Sequence, residues 1–335
     1  MTTATPRRHT AHLLAAAKLA AAGVLVASVL PFGARQWWVL DVASHFRVQY
    51  VAAAAILIVA LAVRRQWLWC AALAVSLAIS ARPLLPYLPF GAPAVAATTT
   101  SGPPVKVLTV NLLFSNHSTA RLLETVREES PDIVVFVEFT PGWSSLVEPL
   151  RASYPHRLEL PIERSAGIAL FSRLPLDTAN VLPLGRSPAI EAQVRTPAGM
   201  FTLIGVHLRS PTSGWRAGQR NWQYERLEQR LDEIEGPVLV TGDFNTTPYS
   251  PFLSEWLERT GLVDTRRGRG LAWSWPTFLP IVGIPIDHCV VSEDFRVISA
   301  RRLPAFGSDH YPILTELALE PRPSASPHVP GEGAR

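Results

Sequence analysis

A chain of 335 residues with two cysteines is long enough for a sizeable core, and it excludes a small fold framed by disulfides. Its net charge of +4 averages two unlike parts: residues 1–100 hold eight of the 31 basic residues and one acid, Asp41, and the remainder holds 23 basic against 26 acidic residues. That mildly acidic remainder argues against a general nucleic-acid-binding surface.

Three apolar segments come first, at residues 12–31, 48–63 and 67–79, the last extending through Leu84 and Leu85 to Tyr87. A helix needs about 20 mostly apolar residues to cross a bilayer, so the second and third must draw on their flanks. Trp37, Trp38, Trp67, Trp69 and Tyr87 stand near those ends, where aromatic residues suit the membrane–water interface. The first segment also reads as a signal peptide and the others as buried helices, but no small-residue cleavage site clearly follows the first, and two further apolar segments favour retention. Arg7 and Arg8 precede the first segment, and Arg64 and Arg65 make the turn between the second and third. Positive residues favour the cytoplasmic side, so three crossings leave the rest of the chain outside, and two would reverse it. Arg35 and Arg47 then fall in an outer loop, balanced in part by Asp41. Cys70 and Cys289 read as small buried hydrophobes. The expected organisation is an anchor with three transmembrane helices (1–88), a linker (89–104), a soluble domain (105–318) and a disordered tail (319–335).

In the soluble domain, a strand over 105–110 ends at Asn111, and 118–130 reads as an amphipathic helix with Leu122, Leu123 and Val126 on one face. Strands over 133–137 and 166–172 end at Glu138 and Arg173. A hairpin of 189–195 and 201–206 turns at Pro197-Ala198-Gly199 and ends at His207. A helix over 218–235 places Trp222, Leu227, Leu231 and Ile234 on one side. The run 238–240 delivers Gly242-Asp243-Phe244-Asn245. A short helix (250–258), a strand at 286–291 opening on Asp287-His288, a polar quartet Gly307-Ser308-Asp309-His310 and a closing strand (313–317) complete the domain. Many strands and few helices predict an α+β fold, a two-sheet β-sandwich flanked by helices.

Gly-Asp-x-Asn alone can be a plain turn. Polar residues closing strand-like runs on six segments are harder to explain that way. Arg266-Arg267-Gly268-Arg269 reads as a solvated loop or a phosphate holder. Trp273, Trp275 and Phe278 would hold substrate, dip into lipid or support the Asp287 loop. His288, on the opposite face of its strand from Asp287, reads as structural.

Asn111 in VLTVN, Glu138 in VVFVEF, Arg173 in ALFSR, His207 in IGVHL, Asp243 and Asn245 in TGDFN, Asp287 in IDH and Asp309-His310 in GSDH follow a known order. Residues 105–318 resemble the endonuclease/exonuclease/phosphatase superfamily, with its DNase I-like nucleases, neutral sphingomyelinases and inositol polyphosphate phosphatases. An anchor joined to such a domain is similar in architecture to the VanJ-type proteins linked to teicoplanin resistance. The resemblance implies a DNase I-like fold and phosphoester hydrolysis with Mg²⁺ or Mn²⁺, in an oxygen-rich site suited to such an ion. It implies Glu138 as metal ligand, completed by Asn111 and Asp309. It implies that Asp243 activates water, Asn245 donates to the phosphoryl oxygen and His310 pairs with Asp287, while His207 and Arg173 contact phosphate. The expected activity is a multi-pass, cell-membrane phosphoesterase with an extracytoplasmic catalytic domain, acting on a phosphate mono- or diester or pyrophosphate, lipid-linked and presented at the bilayer. An anchored endonuclease or exonuclease is the alternative, with Arg209, Arg216 and Arg220 as its basic groove. A non-catalytic binding module is disfavoured because Glu138, Asp243 and His310 are all present.

Overall fold

A computed structural model describes residues 6–89 and 103–320, so most of the expected linker and the tail beyond Glu320 lie outside the described residues. The chain begins with α1 (Pro6–Val29), which tightens into a 3₁₀ turn (Leu30–Gly33), and continues through α2 (Trp38–Ser44), α3 (Arg47–Val63) and α4 (Trp67–Ala81), which runs into a second 3₁₀ turn (Arg82–Tyr87). Among the described residues two helical stretches, Thr10–Gly33 and Trp67–Tyr87, are long and apolar enough to cross a membrane, and α2 with α3, bent by 62°, would make a third. Ala21, Ala54, Leu61 and Leu73 meet where α1, α3 and α4 pack, the alanines allowing close approach. Leu19, Ile56, Val59, Leu68 and Val75 point outward, an apolar surface of the kind that marks a membrane or a partner.

The remaining elements alternate strands and helices. They are β1 (Val105–Asn111), α5 (Thr119–Glu129), β2 (Ile133–Val137), α6 (Pro141–Leu146), β3 (His156–Leu160), β4 (Ile168–Ser172), β5 (Leu176–Leu182), β6 (Ala189–Thr196) and β7 (Gly199–His207). They continue with α7 (Gly214–Asp232), β8 (Val238–Asp243), α8 (Pro251–Thr260), β9 (Val263–Asp264), β10 (Asp287–Val291), β11 (Phe295–Arg302) and β12 (Ile313–Leu319). Two six-stranded sheets form, ordered β11-β12-β1-β2-β4-β3 and β5-β6-β7-β8-β10-β9. Their inner faces share one core, with Val107, Val135 and Leu170 meeting Ile190, Leu203 and Leu239. Leu122, Val126 and Trp143 cover the outside of the first sheet, and Tyr224, Leu227 and Trp256 the outside of the second. This is the expected α+β sandwich with helices outside.

Each sheet has one parallel pair at its centre, β1 with β2 and β7 with β8. A parallel pair needs a crossover, supplied here by α5 and α7. Two βαβ units therefore face each other, and the carboxyl ends of their strands open on the same end of the sandwich.

That end is also where the N-terminal helices dock. Arg220 of α7 is fully buried and donates to Asp41 of α2 (2.8 Å), and the Ser250 hydroxyl donates to the same carboxylate (2.6 Å). The Gly268 and Gly270 N–H groups donate to the carbonyls of Pro86 and Tyr87 (2.8 and 2.7 Å). Gln49 of α3 donates to the Gly283 carbonyl (3.1 Å), and Arg35 pairs with Glu255. Asp41 is thus no loop counter-ion for Arg35 and Arg47, as its place between apolar segments suggests; it is the buried acceptor that ties α2 to α7. Arg220 likewise belongs to this junction and not to a basic groove. The packed face of α7 carries Ala217, Arg220, Gln223, Tyr224 and Leu227, whereas Trp222, expected there, is exposed.

Candidate active site

Strand polarity decides which polar residues meet. Asn111 ends β1, Glu138 follows β2, His207 ends β7 and Asp243 ends β8, all at the carboxyl ends of the central parallel pairs. Ligands in open α/β sheets gather at such ends. β10 runs antiparallel to β8 with Asp287 opposite Asp243, so Asp287 arrives at the start of its strand. β12 runs antiparallel to β1 with Ile313 opposite Thr109, which brings Asp309 and His310, just before β12, to the same end. Arg173 obeys the same logic with the opposite result. It follows β4, whose last residue Ser172 pairs with Ile133 at the start of β2, so it lies at the far end of the sandwich. There its guanidinium covers the Tyr154 ring, 4.9 Å from the centroid. The structure does not bring Arg173 to the site, and its expected phosphate contact is corrected.

The glycines of the two polar motifs have steric reasons. At Gly242 (φ +146°) an added Cβ would lie 1.8 Å from the Val206 carbonyl oxygen, so only glycine lets β8 close on β7 beside Asp243. Gly307 (φ +109°) would carry a Cβ against Ser118 and Asn116. Glu138 and Asn245 adopt left-handed backbone (φ 59° and 50°), a strained state for a non-glycine residue, and each swings its side chain off a strand end into the site.

The assembled side chains form one network. The Asn111 side-chain NH₂ donates to Asp243 (3.0 Å) and lies 3.5 Å from Glu138 and 3.4 Å from Nε2 of His310. The Asn245 N–H donates to the other Asp243 oxygen (2.8 Å), and its side-chain NH₂ donates to the Leu208 carbonyl (2.9 Å). Glu138 accepts from the Phe114 N–H (2.9 Å). Nδ1 of His310 faces Asp287 at 2.8 Å, and the Trp275 indole N–H donates to Asp309 (3.0 Å). Nε2 of His207 and Nε2 of His310 stand 3.7 and 3.8 Å from the same Asp243 oxygen, too far for a direct bond.

Charge is crowded here. Burial and the nearby Asp287 carboxylate push Asp243 well above the usual carboxylate range, against the pull of His310 and its N–H donors. Burial disfavours a charged His310, but the Asp287 carboxylate and its hydrogen bond, backed by Asp243 and Asp309, prevail and push the imidazole up to about 10. Burial pushes His207 the other way, below the ordinary histidine range. The site therefore offers one cationic and one neutral imidazole on either side of a carboxylate, an arrangement suited to acid–base work.

Glu138, His207, Asp243, Asn245, Asp309 and His310 line a pocket of about 340 Å³. Its walls hold two residues read only as a basic groove, Arg209 and Arg216, and three unexpected ones, Val42, His45 and Phe46, from the elbow between α2 and α3. No motif marks the elbow, because it joins the site through tertiary contacts such as the Asp41–Arg220 pair and the Gln49–Gly283 bond. Arg266 is buried and paired with Asp264, so it is neither solvated nor free for phosphate, whereas Arg267 beside it is exposed. His288, bonded to Asp264 and the Thr246 carbonyl, sits behind the site. Trp275 lines the pocket, while Ser274 accepts from the N–H groups of Ile286 and Asp287, so this segment supports the Asp287 strand.

The model of the Endonuclease/Exonuclease/phosphatase family matches residues 108–310, most of the sandwich. The chain belongs to this family. A UPF0294 protein of Vibrio vulnificus (strain YJ016) is 29% identical over 167 residues, covering 42% of this chain and 55% of the relative, so the chain spans about half the length of the curated relatives it matches. Among solved structures, sphingomyelinase C from Streptomyces griseocarneus (15% identity, TM-score 0.50) covers 65% of this chain and is itself covered completely. The D. rerio TDP2 structure complexed with single-strand DNA product (15% identity, TM-score 0.54) covers 64% of this chain, with 98% of its own length matched. Both show the DNase I-like fold.

Members of the endonuclease/exonuclease/phosphatase family are hydrolases of phosphoester bonds and generally use a divalent metal. The donor set here fits one. Glu138 and Asp309 bring carboxylate oxygens to the pocket beside Asp243, whose own carboxylate stands within 4.8 Å of Asp287 and His310. Oδ1 of Asp287 is buried with no hydrogen-bond partner among the described residues. Asn111, as oriented, turns its NH₂ toward the carboxylates and gives its oxygen to the Leu113 N–H (3.0 Å), so it offers an ion nothing unless the amide turns over.

Proposed function

We propose that the chain is a membrane-anchored, Mg²⁺- or Mn²⁺-dependent phosphoesterase that cleaves a phosphate ester or pyrophosphate on a lipid at the outer membrane face. The observation carrying this reading is the convergence of Glu138, Asp243, Asp309, His207 and His310 on one pocket to which the N-terminal helices add Val42, His45 and Phe46. Glu138 and Asp309, the pocket carboxylates outside the Asp243–Asp287–His310 cluster, would hold the ion. When bound, it would polarise a phosphoryl oxygen and offset charge on the leaving oxygen. Asp243, steadied by Asn111 and Asn245, takes the proton of an attacking water seated between the two imidazoles. His310, held cationic by Asp287, faces the negative charge that develops on the phosphoryl group. The second amide hydrogen of Asn245 donates to that group, and Arg209 and Arg216 hold its non-reacting charges.

Two features favour a lipid. The pocket is at the small end of ligand cavities, of size for a head group but not a tail. Beside it, Phe278, Leu279 and Ile281 stand 73%, 47% and 80% exposed on a loop tied to α3 by Gln49 and Gly283. The ends of α1 and α4 and the start of α3 all meet the sandwich, while the Arg64-Arg65 turn lies at the far end, as three crossings require. The test is turnover by detergent-purified full-length protein of lipid pyrophosphates, phospholipids and plasmid DNA, with Glu138→Ala as blank. Metal-dependent phosphate release from a lipid, absent in the blank, is expected. The pocket arginines favour one second reading, an anchored nuclease. DNA nicking without lipid turnover would establish it.

A further inference from the structure

A second cavity, of about 700 Å³, lies where the helices meet the sandwich, away from the catalytic residues. Four arginines line it: Arg35 after α1, Arg47 opening α3, Arg82 after α4, and Arg267 from the segment after β9. Glu255 and Glu258 are the acids on its wall, and Glu255 is taken by Arg35. Arg35, Arg82 and Arg267 are exposed at the rim, and Arg47 is buried at 7% exposure.

Arg47 distinguishes this cavity from an ordinary basic cleft. Its Nε and Nη1 are buried with no hydrogen-bond partner among the described residues. A guanidinium cannot shed its proton, and taking it out of water without a partner is costly. Buried cations are therefore paired, and the described residues offer Arg47 no carboxylate. The cavity supplies room for an anion, three further guanidinium groups above it and the phenol-bearing Tyr87 and Tyr249 beside it. Planar guanidinium forks suit phosphate oxygens.

We propose that this cavity binds a phosphate-bearing anion, with Arg47 as its base and Arg82 and Arg267 as its rim. Resting on the membrane-anchored reading, its position at the sandwich ends of α1, α3 and α4 is the depth of lipid head groups. An anionic phospholipid is then the ligand at hand, and it would bind between anchor and sandwich as a fixed component, not as substrate.

Binding is measured on full-length protein in a zwitterionic detergent, without divalent metal, by titrating dihexanoyl phosphatidylglycerol and, separately, inorganic phosphate. Saturable binding is expected, weakened at least tenfold by Arg47→Gln. The exposed pair Arg82→Gln/Arg267→Gln, which leaves the interior untouched, should weaken it about fivefold and lower its salt dependence. Binding of the lipid alone assigns the site to a head group, and equal binding of inorganic phosphate assigns it to a free anion. Binding of neither probe, or binding indifferent to both variants, overturns the proposal. Because no turnover is read, a chain that hydrolyses no phosphoester can still support this site. One that hydrolyses lipid phosphates can still refute it.

Discussion

Glu138 sits in a left-handed conformation that costs a non-glycine residue about 1–3 kcal/mol. The Phe114 N–H bond repays part of that cost, and the site uses the conformation, since it turns the carboxylate off β2 into the pocket. Glu138→Gly should therefore melt no lower than the wild type while turnover falls at least about 10³-fold, a separation that thermal melts and kinetic assays would show together. His310 and Asp287 act as one unit through their 2.8 Å bond. Either one changed to Asn should cost about 10²–10⁴ in kcat, and the double variant no more than the worse single; additive losses would refute the unit. At this scale the sequence was highly legible. Asn111, Glu138, His207, Asp243 and His310 close apolar runs or stand in dense polar motifs. Arg173 closes such a run too, and only strand direction, which no local pattern states, sends it to the other end.

The strands that carry no clear pattern in the sequence share a position. β3, β5, β9 and β11 are the four edge strands of the two sheets. Central strands buried on both faces read as unbroken apolar runs such as IVVFV, whereas edges such as LDTANVL and FRVISARR mix in polar residues and lose that signal. Helix α2 was missed for a related reason, its central Asp41 having the look of a solvated acid. Its partner predicts the consequence: Arg220→Met should cost about 3–5 kcal/mol by leaving a buried carboxylate unpaired, and adding Asp41→Leu should recover much of it. A second buried trio, Asp264 with Arg266 and His288, gives a pH signature. Against burial, the Arg266 charge and the His288 bond hold Asp264 far below the carboxylate range, while burial and Arg266 lower His288. Both folded-state values lie beneath the unfolded ones of about 3.9 and 6.5, so their stabilisation is complete above those values and drains as pH falls. Melting temperature should drop first below about pH 6.5 and again below about pH 4, and Asp264→Asn, lower throughout, should lack the second drop.

On the scale of the whole molecule, the charge split between the first hundred residues and the rest follows the change from apolar helices to sandwich. It did not show that they share a pocket, since a contact between Val42 or Phe46 and the catalytic residues leaves no mark in either segment. If the apolar helices cross a bilayer three times, a reporter fused after Glu320 that works only in the cytoplasm should stay silent; activity would place the sandwich inside. The apolar loop offers a second check. Ile281→Cys in a Cys70→Ser background, labelled with an environment-sensitive dye and reconstituted in vesicles, should be quenched by a lipid-borne quencher. A label at Met200→Cys on the β6–β7 hairpin should not.

The Asp41–Arg220 pair, the glycine N–H bonds to Pro86 and Tyr87 and the Gln49 contact all join the two halves without using the peptide that connects them. Covalent continuity between Tyr87 and Val105 is then dispensable once the protein has folded. A protease cut there should yield two fragments that migrate and sediment as one particle, retain turnover, and separate only in denaturant. The chain would behave as a heterodimer that happens to be encoded by one reading frame.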